Sequence, residues 1–157
     1  MAHVHDVASY ILNKKGPMTT MKLQKLVYYS QAWSLVWDEK PLFLERIEAW
    51  ASGPVVPDLF QRHRSVYMVD EWPWGEHEKL TLVEKASIDA VLDYYGNKSS
   101  QWLSDLTHME SPWKKARNGL GSFERGNKEI THESMMEYYS SLPPADHDEE
   151  ARCKKRA

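Results

Sequence analysis

The stretch from Thr19 to Trp37, TTMKLQKLVYYSQAWSLVW, restricts the folds open to this chain more than any other. Leu23, Leu26, Val27, Trp33 and Trp37 recur at helical spacing and make one apolar face. Tyr28, Tyr29, Ala32, Leu35 and Val36 fill much of the remaining circumference. After Met21 only Lys22, Gln24, Lys25, Ser30, Gln31 and Ser34 interrupt it. Left exposed, such a helix would be sticky, so the pattern predicts a central helix at about 19–37 with other elements packed around it. Thr19 or Thr20 supplies an N-cap oxygen, and Asp38 opens a polar break before Pro41. The segment is too short and too polar to be a membrane span.

Before it, Val4, Val7, Ala8, Ile11 and Leu12 give the stripe of an amphipathic helix that Gly16-Pro17 stops. His3 and His5 point apart at this spacing, which makes them a poor metal pair. After the central helix, Leu42–Phe43 and Ile47–Trp50 read as extended chain or one small hairpin, with Gly53-Pro54 as a turn. Pro57 and Asp58 suit the start of a helix running to His63 or Arg64. Residues 65–79 form a long connection carrying Trp72-Pro73-Trp74-Gly75, either pinned to the core or part of a binding surface. Glu76-His77-Glu78 lacks a fourth convergent ligand.

Thr81 and Glu84 form a capping box for a helix with Ile88, Val91, Leu92 and Tyr95 inward, closed by Gly96. Ser99 or Ser100 caps the next, carrying Trp102, Leu103 and Leu106. Ser111-Pro112 reads as an N-cap followed by proline, with Trp113 and Ala116 inward. Gly119 to Gly126 reads as a mobile loop. Thr131 caps a last helix with Met135, Met136, Tyr139 and Leu142. The expected fold is therefore mainly α: one compact multi-helix domain over residues 1–142, around the 19–37 helix, with a small β element near 42–50. Four acidic and then four basic residues follow Pro143-Pro144, so 143–157 reads as a disordered charged tail.

Charge and motifs narrow the function. With 20 basic and 23 acidic residues the formal net charge is −3, which argues against a nucleic-acid partner. The single cysteine, Cys153, supports neither a disulfide framework nor a cysteine metal site. Without a secretory signal or spanning segment, a cytoplasmic location and no membrane association are expected. No phosphate loop, dinucleotide fingerprint, HExxH pair or GxSxG elbow occurs. His108 and Glu110, beside Lys114 and Arg117, are the best candidates for a general acid/base pair. Their spacing across a helix end fits better with bracing the following helix N-terminus. No catalytic, cofactor-binding or metal-binding residue is therefore expected.

Four segments in order, KLQKLVYYSQAW, PLF, IEAWASGPVVPDLF and WLSDLTHMESPWKKAR, resemble the Panacea domain, the SocA-like antitoxin domain common in bacterial and prophage genomes. The resemblance extends from about Val7 to Tyr139. It implies a non-enzymatic, phage-associated antitoxin of a toxin–antitoxin system, which neutralises a cognate protein toxin encoded beside it by binding it directly. Other possibilities are an adaptor that delivers the toxin to a protease, a small enzyme using His108 and Glu110, and a nucleic-acid-binding autoregulator. Tryptophan and arginine are enriched in interface hot spots. The candidate partner-binding residues are Trp50, Arg64, Trp72, Trp74 and Trp113, together with His108 and Glu110.

Overall fold

A computed structural model describes residues 1–142; the 143–157 segment and its Cys153, with the disorder expected there, lie outside the described residues. Among the described residues the chain forms α1 (Val4–Lys15), β1 (Met18–Thr19), α2 (Thr20–Trp37), β2 (Glu48–Trp50), β3 (Gly53–Val55) and α3 (Pro57–His63). It continues through β4 (Met68–Val69), a 3-10 turn (His77–Lys79), α4 (Leu82–Tyr95), α5 (Ser100–Met109), α6 (Ser111–Ala116) and α7 (His132–Ser141). The architecture is mainly α, as the periodicity predicts.

α2 is the axis. Thr19 Oγ1 accepts the Lys22 backbone N–H at 3.1 Å and starts the helix. Every residue from Leu23 to Leu35 is buried, and α1, α4, α5 and α7 pack against it. Its aromatic side supplies a close ring contact, Tyr29 stacked on Tyr95 with centroids 4.1 Å apart. Trp33 Nε1 donates to Tyr95 Oη at 3.0 Å, so burying the indole leaves no donor unpaired.

Two small antiparallel sheets flank this axis. β1 pairs with β4, Met18 opposite Val69, and Thr20 extends the contact through its N–H to Tyr67 O. β2 and β3 make a hairpin, with Glu48 opposite Val55 and Trp50 opposite Gly53. The expected β element is present but displaced along the chain. Leu42 and Phe43 belong to no strand, because Gln31 takes their backbone groups. Gly53-Pro54 lies within β3, and Ala51-Ser52 makes the turn. The outer edge of β2 is covered by the 128–130 segment, through Ala49 N–H to Lys128 O and Ile130 N–H to Ile47 O.

The helix starts are largely those expected: the Thr81–Glu84 capping box, Ser99 and Thr131 as N-caps, and proline in the first turn of α3. α6 begins one residue earlier than expected, so Glu110 rather than Ser111 is its N-cap.

Candidate functional site

The chain from Pro41 to Val56 has little regular structure to satisfy its backbone, and α2 supplies the missing partners from three buried polar side chains. Gln24 and Gln31 are seven residues apart and therefore on the same stripe of the helix. Gln31 Oε1 accepts Leu42 N–H at 2.7 Å and Phe43 N–H at 3.3 Å, and its Nε2 donates to Phe43 O at 2.8 Å. Gln24 Oε1 accepts Val56 N–H at 2.8 Å, and its Nε2 donates to Val56 O at 3.2 Å. Between them Lys25 Nζ, fully buried, donates to Pro54 O at 3.2 Å. Gly53 adopts φ +116° above this lysine, where a Cβ would come within 2.7 Å of Lys25 Cε. Lys25 has no ion partner among the described residues, and burial lowers its ammonium to about 7.

The same hairpin is held from α5 and α6. Trp113 Nε1 donates to Trp50 O at 2.8 Å, Arg117 Nη1 to Ala49 O at 3.0 Å, and Ser104 Oγ to Ser52 O at 3.3 Å. Arg117 also donates through Nη2 to the carbonyls of Gly121 and Glu124. The 119–126 loop, expected to be mobile, is thus tied to the domain by a buried guanidinium.

His108 and Glu110 face different surroundings. Glu110 Oε1 accepts the hydroxyls of Tyr29 and Tyr139, each at 2.7 Å, and burial raises its carboxyl to about 7 although both hydrogen bonds act to lower it. His108 stacks on Trp113 with centroids 4.3 Å apart, and its Nε2 is buried without a hydrogen-bond partner among the described residues. Burial, and then the nearby Lys25 charge, lower its pKa. No hydrogen bond or ion pair joins His108 to Glu110 among the described residues. Neither side chain caps α6, so the expected bracing of that helix end is corrected: Glu110 turns inward to the tyrosines, where two phenolic donors converge.

The tryptophans of the long connection divide between the two roles considered for them. Trp72 is buried and donates to His5 Nδ1 at 3.1 Å. Trp74 is 45% exposed, with its ring edge-on to Trp72 and the Arg62 guanidinium 5.6 Å from its centroid. Gly75 permits this packing, since a Cβ there would lie 2.0 Å from His5 O.

A chain of ring contacts links Trp50 to Phe60 (4.8 Å), Phe60 to His63 (5.4 Å), His63 to Trp72 (6.3 Å) and Trp72 to Trp74 (5.0 Å). The structure therefore brings together Trp50, Arg64, Trp72 and Trp74 along α3 and its flanks. Arg64 is exposed and Trp50 half-buried, while Trp72, Glu110 and Trp113 are buried beneath. Beside Trp50 lies an open groove of about 770 Å³, lined also by Glu48, Phe60, Arg64, Arg125 and Asn127. Sequence reasoning missed Phe60 and Arg125 as parts of this surface and Gln24, Lys25, Gln31 and Arg117 as its supports. Polar residues on a helix otherwise suited to the core were the available signal for three of them.

No helix among the described residues is long and apolar enough to cross a membrane. The family model described as Antitoxin SocA-like, Panacea domain, matches residues 23–114, more than half of the chain. No curated protein and no solved structure matches.

Proposed function

We propose that this chain, which belongs to the Panacea-domain family of SocA-like antitoxins, neutralises a cognate protein toxin by binding it directly. The observation that carries this reading is the extent of the family match. It runs from α2 into α6 and so takes in the buried glutamines and lysine, the β2–β3 hairpin and the tryptophan that holds it. This is a supported surface with aromatic and arginine side chains at its rim, which suits a protein partner. A standard interface would bury about 1,200–2,000 Å² in total.

Neutralisation on this reading needs no reacting group and takes place in the cytoplasm, where toxin and antitoxin are made together. Burial of Glu110 between two tyrosines, away from His108, supports a non-enzymatic role.

Co-expression with the product of the adjacent gene tests the proposal, with growth rescue and co-purification scored together. Rescue with a stable complex is expected. Rescue without a complex would replace direct sequestration with a proteolytic adaptor or an enzymatic antidote. A His108→Ala chain that failed to rescue while still folded would favour the enzyme.

A further inference from the structure

We infer that the groove between the β2–β3 hairpin and the C-terminal end of α3 receives an acidic segment of the toxin, whose carboxylates meet Arg64 and Arg125; this rests on the antitoxin reading above. The groove's charge favours such an occupant. Arg64 and Arg125 both line it, both are exposed, and neither makes an ion pair or hydrogen bond among the described residues. The one carboxylate in the groove, Glu48, is already engaged: Arg46 Nε lies 3.0 Å from Oε2, and Trp50 Nε1 donates to Oε1 at 2.9 Å. A chain with a net charge of −3 thus presents, at this place, two free guanidinium groups and a neutralised acid. Guanidinium forks match carboxylates in two-point geometry.

The apolar part of the groove is set in advance. The Glu48 bond fixes the Trp50 indole, Phe60 meets it edge-on at 4.8 Å, and neither ring needs to reorganise to receive a side chain. Arg125 stands on a loop fastened by Arg117 to the carbonyls on either side of residues 122 and 123. Gly126 lets that loop close in, since a Cβ there would lie 2.8 Å from Arg117 Nη1 and 3.2 Å from Ala49 O.

Two other occupants fit less well. Much of the lining is exposed, so a small molecule would not be buried to the usual 70–90%. A nucleic acid needs a basic stripe, whereas this groove holds two arginines, one glutamate and no lysine.

The test uses the full chain and the toxin encoded beside it, comparing wild type, Arg64→Ala/Arg125→Ala and Lys14→Glu, two variants that change the net charge equally, for affinity and growth rescue. Both groove positions are exposed, and an unchanged melting curve establishes that the double variant is folded. The expected result is a loss of about 100-fold or more in affinity, with loss of rescue, in the double variant only. Wild-type affinity should also fall as salt is raised. Binding of the double variant within about threefold of wild type would overturn the groove assignment and leave the antitoxin reading standing. An equal loss in Lys14→Glu would reduce the effect to net charge and overturn it too. A wild-type chain that neither binds nor rescues overturns both readings. Retention of a DNA duplex by wild type but not by the double variant would place nucleic acid in the groove instead.

Discussion

Lys25 and Glu110 are ionisable groups held in the interior with no opposite charge bonded to them among the described residues, and burial moves both to about 7 from opposite sides. Their effects on stability therefore have opposite signs. Lys25 falls from 10.5, so the unfolded chain binds the extra proton between pH 7 and 10.5, and stability rises with pH through that window. Glu110 rises from 4.5, so the folded chain binds the extra proton, and stability falls as pH climbs from 4.5 to 7. Lys25→Met should raise stability at pH 7 by about 1–2 kcal/mol, through removal of a buried ammonium that has one acceptor. Its advantage should shrink towards pH 10.5, which urea titrations across that range would show. Glu110→Gln keeps an acceptor for the tyrosines and should flatten the acid-side slope. A slope equal to wild type between pH 4.5 and 7 would mean that Glu110 does not carry it.

At the scale of the element, α2 acts as a ladder for a segment that cannot satisfy itself. Gln31→Leu would strand the N–H groups of Leu42 and Phe43 and the Phe43 carbonyl in the interior. The expected cost is about 3 kcal/mol, read as a lower denaturation midpoint. A loss under about 1 kcal/mol would show that water takes over the bonds. α2 itself was legible in the sequence because the apolar residues from Leu23 to Trp37 leave no face for solvent. The same residues held a further message that periodicity does not express. Gln24, Lys25 and Gln31 read as interruptions of the apolar pattern, yet a polar side chain on an enclosed helix must find a partner. Which partner depends on where residues 41–56 lie, and that is set by tertiary packing. The displacement of the hairpin has the same origin: Pro54 and Gly53 look like a turn, but Lys25 and the register with Trp50 and Ala49 hold them as a strand. Trp50, Arg64 and Trp74 stand out in the sequence by residue type alone. Phe60 and Arg125 join them only through contacts between distant parts of the chain.

For the whole molecule, α2 joins the elements into one cooperative unit. α1, α4, α5, α7 and the hairpin all pack on α2, so loss of this helix removes the support of each. Thermal unfolding followed by far-ultraviolet circular dichroism and by tryptophan fluorescence should therefore give coincident transitions. Separated midpoints would mean that the hairpin and α3 open before the helical core. Finally, four main-chain oxygens tie the hairpin to the helices: those of Ala49, Trp50, Ser52 and Pro54 take bonds from Arg117, Trp113, Ser104 and Lys25. A main-chain oxygen is present whatever side chain its residue carries. The outward side chains of the hairpin can therefore be exchanged, by mutation or at the bench, while its anchorage stays the same, so the chain can take on a new partner without having to learn to fold again.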